Sequence, residues 1–279
     1  MKIRITADST CDLSKELIER YNVEIVPLLV VKGDKTLRDG LEITPADIFS
    51  SVAAGEDIPT TAAVNSTEYR EIFERVLQDC DAVIHINISS EFSSCHQNAR
   101  LAAEDLNVYC IDSRNLSTGS GLLVMEAGDL IAKGMEPAAI AEELRALTEK
   151  VESSFVIDTL AYLHKGGRCS TVAALGANLL KLRPCIEVKD GKMHVGKKYR
   201  GAFDRCIKQY VTERLKDRDD LRLDRIFVTH SMCDAKTVQV AKDAVRANAE
   251  FAEIYETVAG CTISCHCGPG TLGILFIRK

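Results

Sequence analysis

At 279 residues the chain exceeds the size at which a single hydrophobic core stops growing, so two domains or one large one are expected. Hydrophobic residues make up 46% and charged residues 27%, an ordinary balance for a globular protein. The net charge of −6, with no basic stripe, argues against a nucleic-acid surface.

Met1 to Asp8 opens directly as a strand and lacks the apolar core of a signal peptide, and runs such as Val23 to Val31 are too short to cross a bilayer. A cytoplasmic protein with no integral span is expected. Its eleven cysteines are then expected to be reduced thiols. Only Cys261, Cys265 and Cys267 cluster. With His266 they offer metal-ligand chemistry, but without a second Cys-x-x-Cys pair they read as small buried residues of strands.

In chain order, Lys2 to Ala7 reads as a buried strand ending in Asp8-Ser9-Thr10, and Ser14 caps a helix over Lys15 to Tyr21. Val23 to Val31 reads as one apolar strand, followed by a Gly33-Asp34 turn. Thr44 with Pro45 starts a helix to about Ala53, and Ser66-Thr67-Glu68 opens another through Gln78. Ala82 to Ile88 is a strand, followed by the hydroxyl-rich Ser89 to Ser94 and a helix from about Ser94 to Asp105. The strand Val108 to Ile111, a helix over Leu122 to Lys133 and a helix from Pro137 to near Val151 follow. Strands separated by helices imply right-handed crossovers and a mainly parallel sheet, with ligands at the carboxyl ends of its strands. The polar loops Asp8-Ser9-Thr10 and Ser89 to Ser94 stand at such ends.

The second half changes character. Ser154 to Ile157 reads as a short strand, and Leu160 to Arg168 as a scrap of helix broken by Gly166-Gly167. Cys185 to Val188 and Met193 to Tyr199 flank Asp190-Gly191, a strong hairpin signal. Helices over Phe203 to Leu215 and Ala235 to Ala247 enclose the strand Arg225 to Thr229. This pattern suggests an α+β second domain, with a boundary near residue 155: 1–155 and 156–279. Between the apolar runs Ile254 to Val258 and Leu272 to Ile277, the stretch Thr262 to Gly270 reads as a tight irregular turn carrying His266 on its shoulder.

Seven stretches in order make the chain resemble the DegV family of bacterial lipid-binding proteins. They are Asp8-Ser9-Thr10-x-Asp12-Leu13, Pro59-Thr60-Thr61, Ser89-Ser90-x-Phe92-Ser93, Asp112-Ser113-Arg114 with Gly119-x-Gly121, Leu163 to Arg168, Asp190-Gly191-Lys192, and His266-x-Gly268-Pro269-Gly270-x-x-Gly273. The resemblance implies an α/β fold of two domains, an N-terminal mainly parallel α/β/α domain and a C-terminal α+β domain with a hairpin. A long-chain fatty acid such as palmitate or stearate would lie between them.

It further implies a non-enzymatic carrier with no cofactor, whose carboxylate-binding positions are Thr61, Ser93 and His266. The carrier would present the acid to a separate fatty acid kinase, with Arg200 at the position associated with kinase engagement. Transient contact with a membrane surface is compatible with this role. The chain departs from the family pattern at Thr61-Ala62-Ala63-Val64, at Ser93-Ser94-Cys95-His96 and in the cysteines flanking His266. These changes bear on chain-length preference and kinase recognition more than on the carboxylate.

The physics of such a site is simple. A carboxylate withdrawn from water needs donors to replace its hydration, and two hydroxyls and an imidazole each supply one. The tail needs only a dry apolar lining, which no motif specifies. Taken locally, Thr61 also reads as a loop threonine, Ser93 as a helix N-cap, and Asp8 and Asp12 as strand-end caps rather than an acid–base pair. Leu163 to Arg168 resembles an anion loop without Walker spacing and reads as an element joining the domains. The alternative function is a phosphotransfer or a thiol- or metal-dependent enzyme centred on His266 with Cys265 and Cys267.

Overall fold

The computed structural model describes residues 1–171 and 182–279. A four-stranded parallel sheet, in the order β2-β1-β6-β7, contains β1 (Ile3–Asp8), β2 (Val23–Val26), β6 (Ala82–Asn87) and β7 (Val108–Asp112). Side chains alternate across it as a strand requires. Ile84 and Ile86 of β6 join the core formed with α5 (Thr118–Ala132) and α6 (Pro137–Leu147). His85, between them, meets Tyr69 and Phe73 of α3 (Ser66–Leu77) on the opposite face. Helix α4 (Cys95–Ala102) shares that face, which completes an α/β/α layering.

The second sheet has six strands, in the order β10-β9-β8-β13-β11-β12. It is built from β8 (Val151–Val156), β9 (Leu182–Lys189), β10 (Lys192–Arg200), β11 (Leu221–Ser231), β12 (Glu253–Val258) and β13 (Thr271–Arg278). All neighbours are antiparallel except β11 with β12. Ile226, Val228, Ile274 and Phe276 face α8 (Phe203–Leu215) and α9 (Ala235–Asn248), while Phe227, Leu275 and Ile277 turn toward α5. Helix α5 is apolar nearly all round, buried from Thr118 through Ala127, because it is sandwiched between the two sheets.

Three local expectations fail for physical reasons. Val23 to Val31 is not one strand: β2 stops at Val26, and Leu29–Lys32 forms β3 in a separate sheet ordered β4-β3-β5, with β4 at Lys35–Arg38 and β5 at Thr60–Ala62. Pro27 stands at the break, where it offers no N–H to a ladder. The helix after Pro137 ends at Leu147 and passes through a single 3-10 turn, so the next strand starts at Val151. The supposed irregular turn around His266 is the helix α10 (Cys261–Cys267), so its cysteines lie on a helix and not in strands. Of the shorter helices, α1 is Lys15–Arg20, α2 is Pro45–Ala53 with a Thr44–Asp47 capping box, and α7 is Ala161–Gly166.

Candidate functional site

Ser93 lies in the loop leaving the carboxyl end of β6, beside the point where strand order reverses between β1 and β6. Open parallel sheets leave a crevice there. Thr61 is the middle residue of β5, and His266 sits in the last turn of α10. All three line one cavity with Arg168, closed by apolar side chains including Leu28, Ile88, Phe92 and Met193. It encloses about 510 Å³ of atom-free space, counting its mouth. Arg200 stays apart, exposed at the end of β10 and lining neither this cavity nor its neighbour.

Helix α10 has only seven residues, two of them β-branched, and would not persist alone. Remote carboxylates hold its N-terminal donors. Asp12 accepts from Gly260 N at 2.8 Å; Asp39 accepts from Cys261 N at 2.8 Å, Thr262 N at 3.1 Å and the Thr262 hydroxyl at 2.7 Å. Asp12 also accepts from Ser117 Oγ at 2.5 Å, yet burial pushes its carboxyl up to about 8. Asp8 is equally structural, taking the Tyr69 hydroxyl at 2.6 Å and Ile88 N at 2.9 Å. Ser9 bonds Asp39 and Leu28 N. The first hydroxyl-rich loop therefore braces the backbone and does not line the cavity.

His266 Nε2 lies 2.8 Å from Thr61 Oγ1. Its other nitrogen, Nδ1, is enclosed and has no partner among the described residues. A proton on Nδ1 would be a buried donor with nothing to bond, so the favoured assignment places it on Nε2. The imidazole then donates to Thr61, and the threonine hydroxyl is left to donate in turn. Burial, with the positive charge of Arg168 adding to it, pushes the imidazole pKa down to about 4, so the ring is neutral at pH 7.

Ser93 is not the N-cap of α4, which is Ser94. Its Oγ accepts from Cys95 N at 3.3 Å and donates to Cys95 Sγ at 3.1 Å. Sulfur is a weak acceptor, so this hydroxyl can turn to a better one at small cost. Arg168 was not singled out from the sequence. Its signal was the Gly166-Gly167 pair before it: Gly167, at φ +67°, ends α7 and turns the chain back to the cavity.

A second cavity of about 330 Å³ adjoins the first through Leu116, Ile263 and Cys267, which line both. Its hydroxyls are already committed. Ser117 bonds Asp12, Thr229 meets Thr118 and Thr257 at 2.6 and 3.0 Å, Ser231 meets Ser264 at 3.1 Å, and Thr271 donates to Cys267 O at 2.9 Å. His230 also lines this cavity, its Nδ1 accepting from Cys233 N at 3.3 Å, and the rest of the lining toward the space is apolar, from Phe155, Ala259 and Leu275 among others. A polar cavity thus adjoins a dry one, with Leu116, Ile263 and Cys267 on the wall of both.

All eleven cysteines are unbridged, and burial pushes the Cys265 and Cys267 thiols up to about 12, away from the thiolate a nucleophile needs. Among the described residues, no three His, Cys, Asp or Glu side chains group as metal ligands, and no helix is long and apolar enough to cross a membrane.

The model of the DegV family of uncharacterised proteins matches residues 2–279. A DegV domain-containing protein of Clostridium acetobutylicum is 30% identical over 281 residues, covering 100% of this chain and 99% of the relative. Among solved structures, a fatty-acid-binding DegV family protein from Thermus thermophilus is 28% identical, with TM-score 0.91 and full coverage of both chains. A stearic-acid-binding protein from Eubacterium ventriosum is 26% identical, with TM-score 0.82, covering 99% of this chain and 98% of that one.

Proposed function

Since this chain belongs to the DegV family, we propose that it binds a long-chain fatty acid such as palmitate or stearate and presents its carboxylate to a separate fatty acid kinase for acyl-phosphate formation. The observation that carries this reading is the pair of adjoining cavities, polar where Thr61, Ser93 and His266 meet and dry beyond Leu116 and Ile263. Solved relatives above one-quarter identity that bind fatty acids support it.

In this reading the carboxylate takes the Thr61 and Ser93 hydroxyls as donors. His266, donating to Thr61 from behind, polarises that hydroxyl toward the ligand and keeps it oriented. The tail passes Leu116, Ile263 and Cys267 into the second cavity, where each buried methylene contributes about 0.8 kcal/mol. Arg200, exposed on an edge strand beside the exposed Lys197 and Lys198, is suited to engage an acidic face of the kinase. The enzymatic alternative loses support on two counts. The thiols beside His266 are poor nucleophiles, and neither ring nitrogen is offered to a substrate, Nε2 being bonded to Thr61 and Nδ1 enclosed.

Mass spectrometry of lipid extracted from purified protein, beside the native mass of the intact complex, tests the reading. Stoichiometric fatty acid is expected. A protein that is empty and takes up no fatty acid in vitro overturns it. His266→Ala or Thr61→Ala should lower retention of the bound acid, and a double substitution binding as tightly as the parent would refute the head-group assignment.

A further inference from the structure

We propose that Cys95 positions Ser93 for the ligand carboxylate, its thiol accepting from that hydroxyl before the acid binds and donating to it afterwards. The inference rests on the carrier reading and concerns one of the positions at which this chain departs from the family pattern.

Cys95 is the first residue of α4 and is fully buried. Two of its atoms meet one hydroxyl: the backbone N–H donates to Ser93 Oγ at 3.3 Å, and Sγ lies 3.1 Å from the same oxygen. Burial, with the charge of Asp8 adding to it, pushes the thiol up to about 11, so the sulfur keeps its proton at pH 7. Tyr69, packed in the same cluster, gives its hydroxyl proton to Asp8 at 2.6 Å and has none to spare for the sulfur. Between serine and sulfur there are then two protons and one close contact.

A serine hydroxyl has one proton and two lone pairs. While Ser93 donates to the sulfur, the Cys95 N–H fills one of those lone pairs. When the hydroxyl turns its proton to a carboxylate, oxygen and sulfur would face each other lone pair to lone pair at 3.1 Å. Rotation about the Cβ–Sγ bond relieves this by placing the thiol proton in the gap. The hydroxyl is then fully used, donating to the ligand and accepting from both the N–H and the S–H of Cys95. Accepting from two donors polarises it toward the anion, as the Nε2–H of His266 does for Thr61. Each hydroxyl offered to the carboxylate is backed by a donor of its own. Sulfur suits the task because it is weak in both directions: it gives up the serine proton readily and can still supply one.

Palmitate affinity of delipidated protein is compared for the parent, Cys95→Ala, Cys95→Ser, Ser93→Ala and the double variant Cys95→Ala with Ser93→Ala. Cys95→Ala should weaken binding about fivefold in the parent and less than about twofold once Ser93 is replaced, since its effect passes through that hydroxyl. Cys95→Ser, which keeps a donor, should stay within about threefold of the parent. Infrared spectra taken with and without palmitate follow the proton itself. The S–H stretch of one thiol should move to lower frequency on binding, and the moving band should be missing in Cys95→Ser. An equal loss from Cys95→Ala in both backgrounds would assign the effect to packing and overturn the proposal. Parent protein that holds palmitate with no such band moving overturns this inference alone, whereas parent protein that takes up no palmitate overturns the carrier reading with it.

Discussion

The imidazole of His266 packs on the bare backbone of Gly166, so closely that a Cβ there would stand 2.2 Å from Nδ1. The glycine of α7 and the histidine of α10 are thus two halves of one fit, and the wall behind Nδ1 is what leaves Nε2 as the working nitrogen.

Gly166→Ala should therefore push the ring off Thr61. Overpacking of this kind costs about 1–3 kcal/mol, and palmitate retention should fall roughly tenfold as the Thr61 donor loses its support. Calorimetric titration beside a thermal melt separates the two effects. Wild-type affinity in a variant with unaltered melting would show that the ring does not need this wall.

Ala259 is 4% exposed and lines the second cavity. Ala259→Leu adds three carbons to a space of about 330 Å³ and should shift the acids that co-purify toward shorter chains, with the head-group residues untouched. The chain-length distribution of extracted lipid reads this out directly. An unchanged distribution would mean that the tail does not reach this cavity.

Asp12 predicts a pH effect on stability. Its folded pKa of about 8 lies above the ordinary aspartate value of 3.8, so between those limits the native state holds a proton that the unfolded chain has released. Its contribution is fully present below about pH 4 and is lost as pH rises through 8. Asp12→Asn copies the protonated carboxyl: its oxygen can accept from Gly260 N and its amide can donate to Ser117. The variant should be more stable than the parent at pH 8, by on the order of 2 kcal/mol, with little difference at pH 4. Denaturant titrations at the two pH values test this, and equal stability gaps would sink it.

Much of the fold was legible because its signals are local. Alternating strands and helices in the first half, the Thr44-Pro45 helix start and the Asp190-Gly191 hairpin each follow from side-chain periodicity or turn chemistry. Three features were hidden because they are settled by partners far away in sequence. Pro27 ends β2 only because the next residues find a second sheet. Cys261–Cys267 is helical because Asp12 and Asp39 hold its first N–H groups, which outweighs the turn signal of Gly268-Pro269-Gly270. The convergence of Thr61, Ser93 and His266 was indicated by family resemblance and not by any local pattern. The dry cavity had no signature at all, since its polar side chains conceal themselves by bonding one another.

The bonds that hold α10 join residues 248 and 222 positions apart, and the Thr61–His266 contact spans 205. Contacts of such separation close late, after the entropy of long loops has been overcome. The parallel sheet can form while the head-group pocket still lacks its histidine. The pocket is therefore completed only once the last strand and helix have docked, so an immature chain emerging from synthesis has no finished place to trap a lipid, and ligand capture itself reports that folding has ended.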